Sequence, residues 1–329
     1  MALRLMTVVL APERAAELQR LLVEKDIQGC WIEKDDEQLL ANLLVEADKA
    51  EPLMDDFDQA LGHSEGFRLM LLPVEATLPR PKEEAPPGEQ KEESNNHARV
   101  SREELYAQAQ AGLSTGRTFL LMSFLSALVA AVGLVRDDLA IIIGAMVIAP
   151  LLAPNIALAL ATTMGDLELG REALITNGLG VALTLALAIG VAQLLTVDPT
   201  VPAIAARTTV GLGDIILALA AGAAGTLAFT SGQSSAVIGV MVAVALMPPL
   251  VTCGMLLGSG QLTLALGAAL LVAINVICVN LAGVLTFLFQ GVSPRYWWQQ
   301  EKVRKATYRA VATWIGLLLS LLLLMALTG

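Results

Sequence analysis

Prolines interrupt two apolar segments of this chain, and polar side chains lie next to both interruptions. Asn155 directly follows Pro154, and Thr252 lies three positions after Pro249. Proline has no N–H to donate and its ring clashes with the preceding turn, so each proline is expected to break a membrane helix. Freed backbone groups persist in a bilayer only inside protein or facing water. Paired breaks of this kind predict a solute-binding site.

The chemistry that this pattern predicts is binding. A helix that begins after Pro154 or Pro249 directs its first N–H groups at the bilayer midplane, and helix N-termini bind anions. The predicted spans contain no Lys or Arg, so backbone dipoles and amides would hold an anionic or zwitterionic solute. The candidate substrate-binding residues are Pro154, Asn155, Pro249, Thr252, Ser234, Ser235 and Asn275.

Other polar residues of the spans have two interpretations. Asp214 lies at the edge of an apolar span, where an ionisable group is a candidate for a coupling proton or sodium ion. The alternative is a cap at the start of a helix. The span asparagines, among them Asn177, Asn275 and Asn280, could instead form helix–helix hydrogen bonds.

The two interrupted segments resemble each other. Residues 143–169 and 238–264 share 9 of 27 positions without a gap, and Pro154 matches Pro249. The matched segments are the second and fifth predicted spans, so they cross the membrane in opposite directions. We therefore expect an inverted repeat of three plus three spans, an architecture found in transporters. Chance similarity between two Gly- and Ala-rich helices is the alternative.

Composition indicates a polytopic membrane protein with a polar head. Hydrophobic residues make up 55% of the 329 positions, and no charged residue occurs between Ile215 and Pro294. Residues 1–98 contain 21 acidic and 10 basic residues, whereas residues 99–329 contain 10 and 11. The predicted spans lie near 118–135, 139–163, 172–196, 213–229, 234–257, 262–290 and 310–328.

The chain divides into five predicted segments. Residues 1–79 have the alternation of a βαββαβ unit, which predicts an α+β ferredoxin-like head. Residues 80–98 are rich in Pro, Glu and Lys and predict a disordered linker. A juxtamembrane helix is expected over 99–116, where Ser101 and Glu104 form a capping box. The inverted-repeat membrane domain is expected over 117–290, and a basic, aromatic inner loop with the seventh span over 291–329.

Charge predicts the orientation and excludes several partners. Nine Lys or Arg residues lie on the head's side of the spans and two on the opposite side, which predicts a cytoplasmic head and an external C-terminus. The start lacks the apolar stretch of a signal peptide. An acidic head argues against nucleic acid. The three cysteines have no paired spacing, so no metal or cofactor is expected. The expected partners are the lipid bilayer, a small molecule or ion, and further copies of the chain.

Three motifs resemble the bacterial and archaeal membrane-protein family called domain of unknown function 389. They are Ile143-Gly-Ala-Met-Val-Ile-Ala-Pro-Leu-Leu-Ala-Pro-Asn155, Gly165-Asp-Leu-Glu-Leu169, and Val244-Ala-Leu-Met-Pro-Pro-Leu250 with Asn275 downstream. The resemblance covers about residues 110–290. It implies a location in the cytoplasmic (inner) membrane of bacteria and carries over no substrate or catalytic residue.

Three function classes remain open. A secondary transporter would bind its solute between the broken spans and expose it to either side by alternating access. A channel would use the same breaks as a filter and conduct without saturation. A non-transporting sensor or scaffold would bind a metabolite in the head. We expect no enzyme, because the chain lacks the nucleotide-binding, zinc-hydrolase and nucleophile motifs of the major enzyme classes.

Overall fold

The chain forms two units, Met1–Leu105 and Tyr106–Gly329. The computed structural model describes residues 3–23, 25, 27–36, 38–64, 66–74, 100–232, 235–292 and 311–321, and for 235–244 it describes the backbone alone. The predicted linker 80–98 and most of the predicted inner loop lie outside the described residues.

The first unit contains a four-stranded antiparallel sheet with helices on one face. Its elements are β1 Leu3–Leu10, α1 Ala15–Leu22, β2 Gly29–Lys34, β3 Leu39–Glu46, α2 Ala47–Leu61 and β4 Arg68–Val74. The strand order β2-β3-β1-β4 is the one expected for a ferredoxin-like unit. Alternate residues of the central strands, such as Met6, Val8, Ala41 and Leu43, are fully buried in its core.

A helix that begins at Arg102 follows the predicted linker. This helix, α3, spans Arg102–Ala111, and the Glu104 N–H donates to Ser101 Oγ at 3.3 Å, as the capping motif predicts. The Arg102 guanidinium lies 2.9 Å from Asp55 Oδ1 and 3.8 Å from Glu51 Oε1 of α2. Burial lowers the pKa of Arg102, but its acidic partners shift it upward overall. These ion pairs hold the start of α3 against α2.

The second unit consists of helices. They are α4 Arg117–Arg136, α5 Leu139–Ile148, α6 Leu152–Met164, α7 Leu167–Ala192, α8 Pro202–Ala205, α9 Leu212–Thr230, α10 Ser235–Gly258, α11 Leu262–Phe289 and α12 Val311–Leu321. Among the described residues, four helices are long and apolar enough to cross a membrane, namely α4, α7, α9 and α11. The bent pair α5–α6 is a fifth candidate when the two helices are counted as one span. The protein is therefore of the membrane type, but seven spans are not confirmed.

The predicted break at Pro249 is wrong. Helix α10 runs without interruption from Ser235 to Gly258 and includes both Pro248 and Pro249. Proline at position 249 removes the N–H that would reach the Ala245 carbonyl, four residues earlier. The Asn275 side chain of α11 donates to that carbonyl at 2.7 Å. A side chain from a neighbouring helix thus replaces the missing backbone donor, which allows the helix to continue.

The two matched segments end alike. Gly165 ends α6 with φ of 69°, and Gly260 follows α10 with φ of 78°. The left-handed region is open to glycine because it has no Cβ atom. In both places the next helix begins two residues later, at Leu167 and at Leu262. The inverted repeat remains a prediction, since one copy is broken and the other is continuous.

Helices α9 and α11 approach closely at a glycine. A Cβ atom at Gly222 would lie 2.7 Å from the Val279 carbonyl oxygen and 2.8 Å from its Cα, both backbone atoms that cannot rotate away. We expect Gly222→Val to separate the two helices and lower the free energy of unfolding by about 1–3 kcal/mol. Gly178→Val is the matched control, because nothing lies within 4 Å of its Cβ position. Thermal unfolding in detergent compares the two; equal melting temperatures would contradict this packing.

Candidate functional site

The membrane unit contains a helix break in the middle of an apolar segment. Helix α5 ends at Ile148 and α6 begins at Leu152, and their axes differ by 54°. Pro150 lies in the break and cannot donate to the Met146 carbonyl, so α5 cannot continue. The first four N–H groups and last four carbonyls of a helix have no partner within it. Backbone groups of both kinds therefore converge at this point.

The structure corrects the position of the second half-helix. We predicted that it begins after Pro154, but α6 begins at Leu152 and Pro154 is its third residue. Proline is tolerated in the first helical turn because the N–H groups there have no acceptor within the helix. Pro150 therefore breaks the span, and Pro154 forms part of the new first turn.

Three asparagines from three helices form a hydrogen-bonded chain beside the break. The Asn280 Nδ2 group of α11 donates to Asn155 Oδ1 at 3.0 Å. Asn155 of α6 donates in turn to Asn177 Oδ1 of α7 at 3.2 Å and to the Leu151 carbonyl at 2.7 Å. Asn155 is 2% exposed and Asn280 is fully buried. The amide of Asn155 thus links the break to two other helices.

The side chain of Asn280 places its oxygen, Oδ1, in a buried position. Its Nδ2 group donates to Asn155 Oδ1 and to the Val276 carbonyl. Both partners are acceptors, so the orientation of the amide is determined and Oδ1 is the remaining atom. Within the described residues, no donor contacts Asn280 Oδ1. Buried polar atoms are nearly always hydrogen-bonded, so we expect this oxygen to accept from a group other than the described residues.

Helices α4 and α7 cover the break from the other side. A Cβ atom at Gly180 of α7 would lie 3.0 Å from Leu151 Cδ2 and 3.2 Å from the Phe119 ring of α4. Ser126 of α4 donates to the Ala145 carbonyl in the last turn of α5 at 2.7 Å. The break is therefore enclosed by protein on this side, as irregular backbone in a membrane must be.

The proline pair of α10 has its own polar neighbours. Asn275 donates to the Ala245 carbonyl, and Thr252, one turn after Pro249, is fully buried. Neither Thr252 Oγ1 nor Asn275 Oδ1 has a hydrogen-bond partner in the described part of the chain. Helix α10 packs against α5, α6, α7 and α11, so these residues belong to the same bundle as the break.

Asp214 lies at a helix end. It is the third residue of α9, and its Oδ2 accepts the Gly211 N–H at 2.8 Å. Gly222 contacts Val279, the neighbour of Asn280, and it follows Asp214 by eight residues, about 12 Å of helix. The capping interpretation accounts for this geometry. The role in ion coupling remains a prediction.

Ser235 does not lie beside the proline pair, and Ser234 lies outside the described residues. Ser235 is the first residue of α10 and precedes Pro249 by 14 positions, about 21 Å along the helix. The backbone therefore separates Ser235 from the proline pair. Of the predicted substrate-binding residues, Pro154 and Asn155 lie at the break, and Pro249, Thr252 and Asn275 lie around the middle of α10 and α11.

Sequence reasoning gave too little weight to Asn177 and Asn280. Both residues were expected to be span asparagines with an open role, and the structure connects both to Asn155. A partial signal was present, because asparagine is rare in apolar spans and yet occurs once in α6, once in α7 and twice in α11. Their pairing depends on the rotation of each helix about its axis, which spacing alone does not determine.

The arrangement can bind a small polar group inside an apolar bundle. It offers the first N–H groups of α6, carbonyls at the end of α5 and the Asn280 oxygen. Among the described residues, no group of three His, Cys, Asp or Glu side chains could hold a metal ion. The groups named at the break are backbone groups and neutral amides.

Comparison with known proteins relates most of this unit to one family. Residues 146–281 match the family model described as Domain of unknown function (DUF389), a range that includes the break and all three linked asparagines. The chain is 38% identical over 239 residues to an uncharacterized protein of Methanocaldococcus jannaschii, covering 73% of this chain and 75% of that protein. No solved structure matches the chain.

Proposed function

The chain belongs to the DUF389 family, and we propose that it is a membrane carrier whose solute binds at the break between α5 and α6. One observation supports this most strongly: two buried amides, Asn155 and Asn280, are linked at a proline break within an apolar span. Hydrocarbon does not tolerate freed backbone groups. Discontinuous helices that carry such groups form the binding sites of many secondary transporters.

The solute that suits this site is small and zwitterionic. The N-terminus of α6 attracts a negative group such as a carboxylate. The Asn280 Oδ1 atom, which no donor contacts among the described residues, accepts hydrogen bonds and so suits an ammonium group. An anion would use the first feature alone. Of the two solute classes that the sequence allows, the zwitterion therefore uses more of the site.

Alternating access would depend on one hinge. Because α10 is continuous, α5 and α6 can change their 54° angle while α10 serves as a fixed support. Proton or sodium coupling is retained in the proposal with Asp214 as its candidate residue, since an acid at a span edge can gain or lose one charge. The charge asymmetry of the loops supports a cytoplasmic head and an external C-terminus, and the bacterial inner-membrane location is retained from the family resemblance.

Transport assays test the carrier. The purified protein is reconstituted in liposomes, and uptake of labelled glycine, alanine and betaine is compared with uptake of acetate, lactate and sulfate. A carrier saturates and supports counterflow, and the zwitterions should be preferred. Flux that rises linearly with concentration would favour a channel. A complete lack of flux and of solute binding would overturn the proposal.

Pro150→Ala tests the role of the break. Alanine supplies an N–H for the Met146 carbonyl, so α5 can extend and the hinge stiffens. We expect initial uptake to fall by about tenfold or more, corresponding to about 1.4 kcal/mol in the barrier. Pro202→Ala is the control, because Pro202 begins the short helix α8 outside the spans. Uptake by Pro150→Ala equal to that of the control would argue against the hinge.

A further inference from the structure

One face of the head's sheet leaves large apolar side chains in solvent. Helices α1 and α2 cover the face that contains Met6 and Val8. On the opposite face, Trp31, Met70 and Leu72 are 54%, 47% and 51% exposed. Exposed apolar patches of this kind mark interaction surfaces in soluble domains. We call this surface the open face.

Strand register arranges the open face in three full rows across β2, β3, β1 and β4 and a shorter fourth row on β3, β1 and β4. The full rows are Gly29, Leu44, Leu5 and Leu72; Trp31, Asn42, Thr7 and Met70; and Glu33, Leu40, Val9 and Arg68; the fourth row is Glu46, Leu3 and Val74. The third row therefore begins with an acid at one edge of the sheet and ends with a base at the other. Its two central members are apolar.

The open face carries little of the head's negative charge. Its rows contain two acids, Glu33 and Glu46, and one base, Arg68, whereas residues 1–98 contain 21 acidic and 10 basic residues. Glu46 lies at the end of β3 and pairs with Lys49 at 3.0 Å. A largely apolar surface of this kind can approach another copy of itself with little of the repulsion that the rest of the head would cause.

We propose that the open face binds the open face of a second copy of this chain. A two-fold axis parallel to the strands and between the sheets puts β2 of each copy opposite β4 of the other. This axis keeps each row opposite the same row of the partner. Glu33 therefore faces the partner's Arg68 and Trp31 faces the partner's Met70, and each pair occurs twice. Opposite charges attract across an interface, and methionine sulfur packs well against aromatic rings.

The charge pattern distinguishes this arrangement from the other two-fold packing. An axis across the strands would stack β2 on the partner's β2. Glu33 would then face either the partner's Glu33 or an uncharged residue of the partner's β2. Arg68 would face either the partner's Arg68 or an uncharged residue of the partner's β4. Like charges in opposition cost free energy. Two-fold interfaces use one patch on both subunits, and the Glu33–Arg68 row has the required self-complementarity. The association of two heads does not depend on transport activity.

Cross-linking of the full-length protein in membranes tests this geometry. In a background with Cys30, Cys253 and Cys278 replaced by alanine, one copy carries Glu33→Cys and a second, differently tagged copy carries Arg68→Cys. We expect efficient disulfide formation between the two copies with a copper–phenanthroline oxidant. Copies that both carry Glu33→Cys, or both carry Arg68→Cys, should cross-link poorly. Equal cross-linking of like pairs would overturn the proposal.

Charge reversal tests the same pair without cysteines. Glu33→Arg places a base opposite the partner's Arg68, and Arg68→Glu places an acid opposite the partner's Glu33. Each single variant is therefore expected to weaken association of the heads by about tenfold. The double variant restores opposite charges and should associate nearly as well as the natural protein. Energy transfer between labelled copies in nanodiscs measures association. Both side chains are exposed, so the variants should fold normally. Double-variant association as weak as that of the single variants would contradict the pairing.

Discussion

If the break and its amides form the binding site, replacing Asn155 with leucine is expected to reduce solute uptake by about a hundredfold, which corresponds to about 2.7 kcal/mol in the barrier. Leucine has similar size but no hydrogen-bonding group. The change removes the bonds to Asn280, Asn177 and the Leu151 carbonyl together. The break would thereby lose the amide that connects it to both α7 and α11. Initial rates of uptake in liposomes measure the effect.

The stability of the Asn155 variant separates a binding role from a packing role. Buried groups left without partners cost about 1–3 kcal/mol each, although single hydrogen bonds between membrane helices average about 0.6 kcal/mol. We therefore expect a moderately lower melting temperature in detergent together with a much larger loss of uptake. A lower melting temperature with unchanged uptake would mean that the amides only join helices.

Thr286→Val is the matched control for this experiment. Thr286 lies on α11, as Asn280 does, and its hydroxyl donates to the Ala282 carbonyl of its own helix at 2.8 Å. Its loss removes a hydroxyl from the apolar bundle without breaking a bond between helices. Uptake should stay within about twofold of the natural protein, since such bonds contribute little. Equal losses in Thr286→Val and Asn155→Leu would point to a general defect in the bundle.

The head was predictable because its signals are local. Alternating apolar residues and helical periodicity predicted the order βαββαβ, and all four strands and both helices are present in that order. The break in the second span was also predictable, since proline lacks a donor wherever it occurs. The position of the break was harder to predict, because either Pro150 or Pro154 could cause it. A proline in the first turn of a helix costs little free energy, so Pro154 is compatible with a helix that has already begun.

The continuous helix at Pro249 was not predictable from local sequence. The deciding residue, Asn275, lies 26 positions later on another helix. Which side chain reaches a freed carbonyl depends on how helices pack and rotate, and no spacing in one sequence gives that information. The same reason applies to the link from Asn155 to Asn280, which joins residues 125 positions apart.

The bond from Asn275 to Ala245 makes a reciprocal prediction about Pro249. Asn275→Leu leaves the Ala245 carbonyl without its side-chain donor, so the free energy of unfolding should fall by about 1–3 kcal/mol. Adding Pro249→Ala supplies a backbone N–H to the same carbonyl, and the double variant should recover most of the loss. Reversible unfolding in detergent measures the coupling between the two positions, which we expect to be about 1 kcal/mol or more.

The neighbouring proline provides a control of the same chemistry. A residue donates to the carbonyl four positions earlier, so Pro248→Ala supplies an N–H to Val244 and leaves Ala245 unchanged. Pro248→Ala should therefore fail to rescue Asn275→Leu. Equal rescue by both alanine variants would mean that proline strain in α10, and not the Ala245 carbonyl, determines stability. Rescue by Pro249→Ala alone would establish that Asn275 is the donor that keeps α10 continuous.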